Sequence, residues 1–355
     1  MFSWISDPSG SDELRLVLVL GLLSMVVTVG LLLQVLALRA RSRRRQAVQA
    51  RVVARWRPLL LRAAAGDEEQ PPALPRRERE PLLLLWNQMQ DGLRGSAHEG
   101  LNRFAAALGL PALARRAALR GGGSRRVLGL HTLGHVRDPA DWDILAALLP
   151  QPRSFVSLAA ARALLQIDAR RAAPLVLDEF LARTDWPVPR LGTLLREAGA
   201  DAIGLALSDR LLDQPPAQQV RLLPLARVTE APGRGSVIEG VLARATDTGV
   251  LAVSLQQVHG PASLRRVREL CTHADWHVRS FAALALGRLG GAPERAQLIA
   301  MLADREWWVR YRAAQALLGL PGVDELAARA LAAGLTDRYA RDMLRQVLAE
   351  REYAQ

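Results

Sequence analysis

An uninterrupted run of uncharged, mostly apolar residues near the N-terminus, Leu16–Leu38, constrains this chain more than any other feature. Its 23 residues would extend about 34 Å as an α-helix, which exceeds the roughly 30 Å hydrocarbon core of a bilayer. A signal peptide would begin with positive charge and end at a small-residue cleavage site. Here an acidic flank containing Asp12 and Glu13 precedes the run, and no such site follows it. The sequence therefore predicts a transmembrane helix over 16–38, preceded by a short external N-terminus, 1–15.

The positive charge of the chain is concentrated directly after this run. The formal net charge is +12, and the segment 39–62 contains nine arginines and no acidic residue. Because positively charged flanks remain in the cytoplasm, we predict a single-pass protein of a bacterial inner membrane with its N-terminus outside. The basic segment, 39–65, is predicted to form a helix that lies against anionic lipid headgroups. The arginines predicted to contact the membrane surface are Arg39, Arg41, Arg43, Arg44, Arg45, Arg51 and Arg55.

A proline-rich segment separates the basic helix from the rest of the chain. Residues 66–81 contain four prolines among charged residues, a composition typical of a semi-rigid, extended spacer. The single cysteine, Cys271, excludes an intramolecular disulfide framework and fits a reducing compartment. Half of the residues are hydrophobic, so the remaining segment, 82–355, is long and apolar enough to form a folded domain.

Internal repetition predicts the fold of this domain. The segments 270–290 and 298–320 align on their Val-Arg pairs, with Arg279 opposite Arg310, and share apolar positions on one helical face. The same register recurs about every 31 residues, clearly in some places and weakly in others. The further register positions are Arg126, Ser157 and Arg341, and more weakly Pro189, Arg221 and Leu251. No alternating strand pattern occurs, and the sequence predicts an all-α chain whose C-terminal part is an α-solenoid of about eight two-helix repeats.

The repeated pattern Asp/Glu-x-x-Val-Arg-x-x-Ala-x-x-x-Leu, found at 275–286 and 306–317, resembles HEAT repeats. It is closest to the short bacterial type also found in phycobilisome-lyase-like proteins, here in a membrane-anchored form. Between about 170 and 265 several prolines depart from the pattern. The resemblance implies a solenoid that binds partners on an extended surface. It also implies a structural ladder of hydrogen bonds between Arg279, Arg310 and the acidic residues of the loops.

Two clusters of possible metal ligands favour structural roles instead. Cys271, His273, Asp275 and His277 lie within seven residues, but the HEAT pattern makes this a loop in which Asp275 caps the next helix. His131 and His135 have helical i, i+4 spacing without a third ligand nearby and are expected at the surface. We predict no metal and no cofactor.

Tryptophans recur at the predicted loops of the repeats. Asp-Trp pairs end at Trp142, Trp186 and Trp276, and Trp307 and Trp308 are adjacent. One interpretation is that each acid caps a helix while the Trp packs across the turn. The other is a row of aromatic side chains on one rim, available for binding. The predicted partner-binding residues are Trp276, Trp307, Trp308, Tyr311 and Arg312, because two adjacent Trp residues cannot both face inward on a helix.

These observations predict a non-enzymatic, membrane-anchored scaffold or adaptor that docks a protein partner at the cytoplasmic face of the membrane. Family resemblance suggests an accessory subunit of a membrane enzyme complex, including envelope or surface-polysaccharide synthesis systems. Two alternatives remain open: a HEAT-like enzyme, resembling a DNA glycosylase or a bilin lyase, and a homo-oligomeric structural scaffold. Nucleic acid is disfavoured because most of the net charge lies beside the predicted span, and no small-molecule substrate is expected.

Overall fold

The structure, a computed structural model, describes residues 8–67, 70–93, 95–229 and 237–353. All secondary structure within these ranges is helical, which confirms the all-α prediction. The chain divides into two compact units, unit 1 within Met1–Val136 and unit 2 within Arg137–Gln355. Each unit is described by itself below.

Unit 1 contains one very long helix and four short ones. They are α1 (Pro8–Ala64), α2 (Arg79–Gly92), α3 (Ser96–Ala107), α4 (Leu110–Arg120) and α5 (Gly123–Val136). In α1, the segment Val19–Ala40 is exposed, and it is long and apolar enough to cross a membrane. A signal sequence near an N-terminus also meets this criterion of length and apolar composition, so the finding supports a membrane span without distinguishing the two.

The C-terminal part of α1 lies inside the core of unit 1. Val52, Trp56 and Leu60 are fully or almost fully buried, because apolar residues spaced three or four apart form one face of the helix. Helix α3 approaches this face so closely that a Cβ on Gly100 would lie 2.0 Å from the Ala63 carbonyl oxygen. The residues of α2 to α4 buried in the same core are Leu82, Leu83, Leu85, Trp86, Leu101, Phe104, Ala105 and Leu110.

These contacts differ from the division of the chain at 65 and 81 that the sequence suggested. Val52, Trp56, Leu60 and Ala63, within the predicted basic helix 39–65, belong to the core of unit 1. Leu74, within the predicted spacer 66–81, also packs against that core. The reason is that Val48, Val52 and Trp56 fit a protein core as well as they fit a lipid surface, so the sequence pattern serves both.

Unit 2 is a succession of paired helices. Its first seven helices are α6 (Trp142–Leu148), α7 (Ser154–Ile167), α8 (Ala169–Ala182), α9 (Val188–Ala198), α10 (Ala200–Asp213), α11 (Pro216–Thr229) and α12 (Val237–Arg244). The next seven are α13 (Thr248–Gln257), α14 (Leu264–Leu270), α15 (Trp276–Leu289), α16 (Arg295–Met301), α17 (Trp307–Leu318), α18 (Glu325–Gly334) and α19 (Arg338–Tyr353). Short 3₁₀ turns precede α6, α14 and α16.

The second helices of these pairs pack against one another in chain order. Contacts join α7 to α9, α9 to α11 and so on to α19, and each of these helices also contacts a first helix of its own pair or a neighbouring pair. All eight register positions predicted from the sequence lie in described helices: Arg126 in α5, and the others in α7, α9, α11, α13, α15, α17 and α19. Stacked pairs of this kind bury apolar faces that one pair alone would leave in water.

Candidate protein-docking surface

Arg279, on α15, links two neighbouring helix pairs through the loop that precedes α17. Its Nε and Nη2 donate to the two carboxylate oxygens of Asp304 at 2.7 and 2.9 Å. Its Nη1 donates to the carbonyls of His273 and Ala274 at 2.8 and 2.9 Å. The two charged side chains are only 8% and 13% exposed, so the bidentate pair is shielded from water.

The carboxylate of Asp304 is ionised by its surroundings. Burial would raise its pKa, but hydrogen bonds from Arg279 and from the backbone N–H of Glu306 outweigh this effect and hold the pKa below its ordinary value. The Glu306 N–H lies 2.9 Å from Asp304 Oδ1. This loop is therefore organised around one buried charge pair.

The HEAT resemblance implied that both arginines of the ladder bind acidic residues of the loops. Arg279 does so, but Arg310 binds backbone carbonyls instead. Arg310 Nη1 donates to the carbonyls of Asp304 and Arg305 at 2.7 and 3.1 Å, and its guanidinium lies over the ring of Tyr339 at 5.5 Å. Arg310 therefore binds the carbonyls of its own loop rather than a loop carboxylate. These contacts give both arginines structural roles.

Two of the loop tryptophans are buried, as the packing interpretation requires. Trp142 is 6% exposed with the guanidinium of Arg171 4.0 Å from its ring centroid. Trp186 is 3% exposed and lies beside Arg183, whose guanidinium is 5.7 Å from its ring centroid. Neither ring offers a binding surface, so an uninterrupted aromatic row along the repeats is excluded. Trp276 is half-buried and stacks on His277, while Asp275 accepts the His277 N–H at 2.8 Å and caps α15 as expected.

An exposed aromatic cluster occurs on α17, and we call Trp307, Trp308 and Tyr311 the α17 cluster. Trp307 stacks on Tyr311 with ring centroids 5.0 Å apart, and Trp308 meets Trp307 edge-on at 4.8 Å. The two tryptophans are 39% and 50% exposed. Both side chains face outward, because the buried face of α17 begins at Val309 and continues through Ala313.

Polar neighbours fix the orientation of the α17 cluster. The Tyr311 hydroxyl donates to Glu350 of α19 at 2.9 Å, and this hydrogen bond raises the pKa of Tyr311. The Arg312 guanidinium lies 5.9 Å from the Tyr311 ring centroid and also donates to Gln315. An exposed group of rigid aromatic side chains beside an arginine has the composition of a binding hot spot.

The structure changes the interpretation of the histidine pair on α5. His135 is buried, not at the surface as expected, with its Nε2 3.3 Å from Asp91 and its ring edge-on to Trp86. It belongs to a buried polar network that was not predicted from the sequence, in which Gln90 donates to Asn102 at 2.8 Å and Asn102 donates to the His135 carbonyl at 3.3 Å. The sequence signal for this network is the pair Asn87 and Gln90. These two polar residues are three positions apart, and so on one face of a helix, directly after a run of leucines.

The arginines predicted at the membrane surface all lie on α1. The side chains of Arg39, Arg43, Arg51 and Arg55 are exposed, while those of Arg41, Arg44 and Arg45 lie outside the described side chains. Arg55 is 3.5 Å from Glu78, an exposed contact that leaves its guanidinium accessible to solvent.

Cys271 and His273, two of the possible metal ligands, contact the backbone instead. Cys271 Sγ lies 3.3 Å from the Val267 carbonyl oxygen, and His273 Nδ1 accepts the backbone N–H of Asp275 at 3.1 Å. Within the described ranges, no group of three His, Cys, Asp or Glu residues is placed to hold a metal ion.

Cys271 is expected to be unreactive in the folded protein. Burial raises the pKa of its thiol to about 12, so almost no thiolate is present at pH 8. A maleimide or aromatic disulfide reagent should modify less than a tenth of the native protein in the time that fully labels the same protein in denaturant, as measured by intact mass. Ser96→Cys, at an exposed position, is the positive control. Native labelling of Cys271 as fast as the control would contradict its burial.

The paired, stacked helices of unit 2 and the arginine contacts between them define an α-helical repeat protein. Residues 249–318, which cover α13 to α17 except for the first residue of α13, match the family model described as HEAT repeats. The resemblance seen in the sequence is thereby confirmed over the two clearest units, and protein interaction is the general role of such repeats. No curated protein matched the chain.

Two solved structures are similar to the chain in helical arrangement. One is a crystal structure of importin beta in an ammonium sulfate condition, with 16% sequence identity, a TM-score of 0.34, and coverage of 78% of this chain and 46% of that one. The other is an engineered protein, with 17% identity, a TM-score of 0.34, and coverage of 86% and 90%. The chain thus spans less than half of the importin beta chain, and similarity at these scores carries no argument about function.

Proposed function

We propose that this protein is a non-enzymatic, membrane-anchored HEAT-repeat adaptor of the short bacterial type, which docks a protein partner through the α17 cluster. The observation that carries the proposal is a contrast in burial among the loop tryptophans. Trp142 and Trp186 are buried, whereas Trp307 and Trp308 are exposed, and these two lie within the part of the chain that matches the HEAT-repeat model. Exposed, mutually stacked aromatic residues lose little conformational entropy on binding and supply large contact area. Arg312 follows Tyr311 directly in the sequence, and Trp276 begins α15 as Trp307 begins α17, one repeat earlier; these two residues are the secondary candidates.

The proposed anchor is the apolar segment of α1. With Val19–Ala40 in a bacterial inner membrane and the arginines beyond it in the cytoplasm, the chain after the span, with the core of unit 1 and all of unit 2, lies on the cytoplasmic side. Anchoring raises the local concentration of the α17 cluster near membrane partners, which compensates for a modest affinity. A partner that is itself a membrane enzyme, with this chain as its accessory subunit, fits that arrangement best. Envelope or surface-polysaccharide synthesis is the class of system to test first.

Removing the exposed aromatic rings is expected to abolish partner binding without unfolding the repeats. Trp307→Ala/Trp308→Ala should reduce co-purification of a partner at least tenfold, because hot-spot truncations cost about 2 kcal/mol or more each. The measurement is quantitative mass spectrometry of the tagged full-length protein, purified in mild detergent from its native membranes.

A matched control separates loss of this surface from general loss of apolar area. Leu205→Ala removes a 60% exposed side chain from α10 and should leave co-purification unchanged. Equal recovery of the partner with wild type and with the double variant would exclude the α17 cluster as the docking surface. Release of the full-length protein from membranes by alkaline carbonate would exclude the anchor.

A further inference from the structure

The helices of unit 1 have defined directions relative to α1, and therefore relative to the apolar segment at its N-terminal end. Gly100 of α3 lies against Ala63, whereas Phe104 lies against Trp56 with ring centroids 6.5 Å apart. Later residues of α3 thus lie closer to the apolar segment, so α3 is antiparallel to α1. Its N-terminus, at Ser96, is at the far end of the unit.

Helix α2 runs the opposite way, parallel to α1. Its N-cap residue, Glu78, accepts a hydrogen bond from Trp56 Nε1 at 2.6 Å, at the near end. Further along, Trp86 Nε1 donates to the Leu101 carbonyl at 3.1 Å, next to the contact of Gly100 with Ala63. The start of α2 is therefore the part of that helix closest to the apolar segment.

The segment before α2 returns along α1 toward the apolar segment. Asp67 and Pro71 line a small cavity with Leu59 and Ala63, and Glu78 then lies at Trp56. A turn closed by the Glu78 N–H and the Pro75 carbonyl at 3.0 Å connects the returning segment to α2. This turn, 75–78, is consequently the point of the segment nearest to the apolar part of the helix.

The turn presents two arginines to solvent. Arg76 and Arg77 are exposed, and they precede the half-buried Glu78, which is already engaged by Trp56 and Arg55. Along the helix axis, Trp56 lies about 24 Å beyond Ala40, the end of the apolar segment. The headgroup layer, about 6 Å thick, and the extended arginine side chains together span part of this distance. The gap that remains between the guanidinium groups and the headgroups is comparable to the Debye length of about 8 Å. A tilt of α1 by about 20°, the average for membrane helices, narrows it further on one side.

We propose that the turn 75–78 is a second membrane-facing surface, whose Arg76 and Arg77 are attracted to anionic phospholipid headgroups across this gap and orient unit 1 on the bilayer. The inference rests on the proposed anchor and extends it. Because α1 continues without interruption from the apolar segment into the core of unit 1, the unit is held on a rigid stalk and not on a flexible tether. The proline-rich segment braces that stalk, and its charged turn selects which side of the unit tilts toward the lipid.

The buried thiol of Cys271 allows a site-specific test in the full-length chain. A fluorophore is attached to Pro75→Cys in one variant and to Ser96→Cys, at the far end of unit 1, in another. Both are reconstituted in nanodiscs that contain nitroxide-headgroup lipid as a quencher. With phosphatidylglycerol, quenching at position 75 should exceed that at 96 several-fold. The excess should fall in phosphatidylcholine and in 1 M salt, where the Debye length is about 3 Å.

Charge variants identify the residues responsible. Arg76→Gln/Arg77→Gln in the Pro75→Cys background should lose the anionic-lipid dependence of quenching, since basic side chains near a membrane are attracted to its negative surface potential. The control Arg265→Gln/Arg338→Gln removes the same charge from exposed sites in unit 2 and should retain that dependence. Equal quenching at 75 and 96 in protein that is inserted would overturn this inference alone. Failure of the protein to insert would overturn the anchor itself.

Discussion

Replacing Trp56 with alanine is expected to destabilise unit 1 and leave unit 2 unchanged. The indole is fully buried, lies edge-on to Phe104 and donates to Glu78 at 2.6 Å, so its removal opens a large cavity and breaks the contact with the start of α2. Truncations of buried tryptophan typically cost about 3–5 kcal/mol. Hydrogen exchange followed by mass spectrometry, on the full-length protein in nanodiscs, should show loss of protection in peptides from α2 and α3.

Two further variants make this result specific. Arg57→Ala changes the next residue of the same helix, where the side chain is exposed, and should preserve protection. Trp56→Phe keeps an aromatic ring but removes the donor to Glu78, with an expected cost of about 1–3 kcal/mol. Unchanged exchange of α2 and α3 in Trp56→Ala would show that the C-terminal part of α1 is not part of the core of unit 1.

The repeat architecture could be predicted from the sequence because its constraints are local. Arg279 and Arg310 mark the same helical register about 31 residues apart, and the positions +3, +7 and +10 from each must face the neighbouring helices whatever the rest of the chain does. Buried Ala282, Leu286 and Ala313 fulfil that requirement. The periodicity was sufficient to place even weak repeats, such as that of Arg221, in a helix. The reason is that stacking requires an apolar face and not a particular residue.

The limits of unit 1 could not be predicted in this way, because a core and a membrane surface impose the same pattern. Arginines lie on both sides of Trp56 in the sequence, as they would beside a lipid-facing tryptophan. Only its contacts with Phe104 and Glu78 show that it packs in the protein core. The exposure of both Trp307 and Trp308 has a similar origin. Helical periodicity excludes two inward-facing neighbours, but whether one or neither faces inward depends on where α17 begins to pack.

Replacing Arg279 with methionine is expected to destabilise the repeats around α15 and α17 strongly. The substitution keeps an aliphatic side chain of similar length but leaves the carboxylate of Asp304, 13% exposed, without its bidentate partner. Breaking a buried ion pair on one side costs about 3–5 kcal/mol, which is more than the pair itself contributes. Hydrogen exchange of peptides from α15 to α17 should reveal the loss, while Arg305→Met, an exposed neighbour of Asp304, should cause little change.

The pH dependence separates this electrostatic effect from a simple loss of packing. The folded-state pKa of Asp304 is lower than its unfolded value of about 3.9, so its stabilising contribution is complete above that value and is lost as the pH falls through the folded pKa. In Arg279→Met, the carboxylate of Asp304 is unpaired and still partly buried, so the protonated form is favoured and its folded-state pKa rises. Asp304 then stabilises the folded protein less as the pH increases, the opposite of its effect in wild type. The gap in protection between wild type and variant should therefore be largest near pH 7 and narrow below about pH 4. A gap that stays constant over this range would mean that Arg279 acts through packing and carbonyl contacts, and not through its charge pair with Asp304.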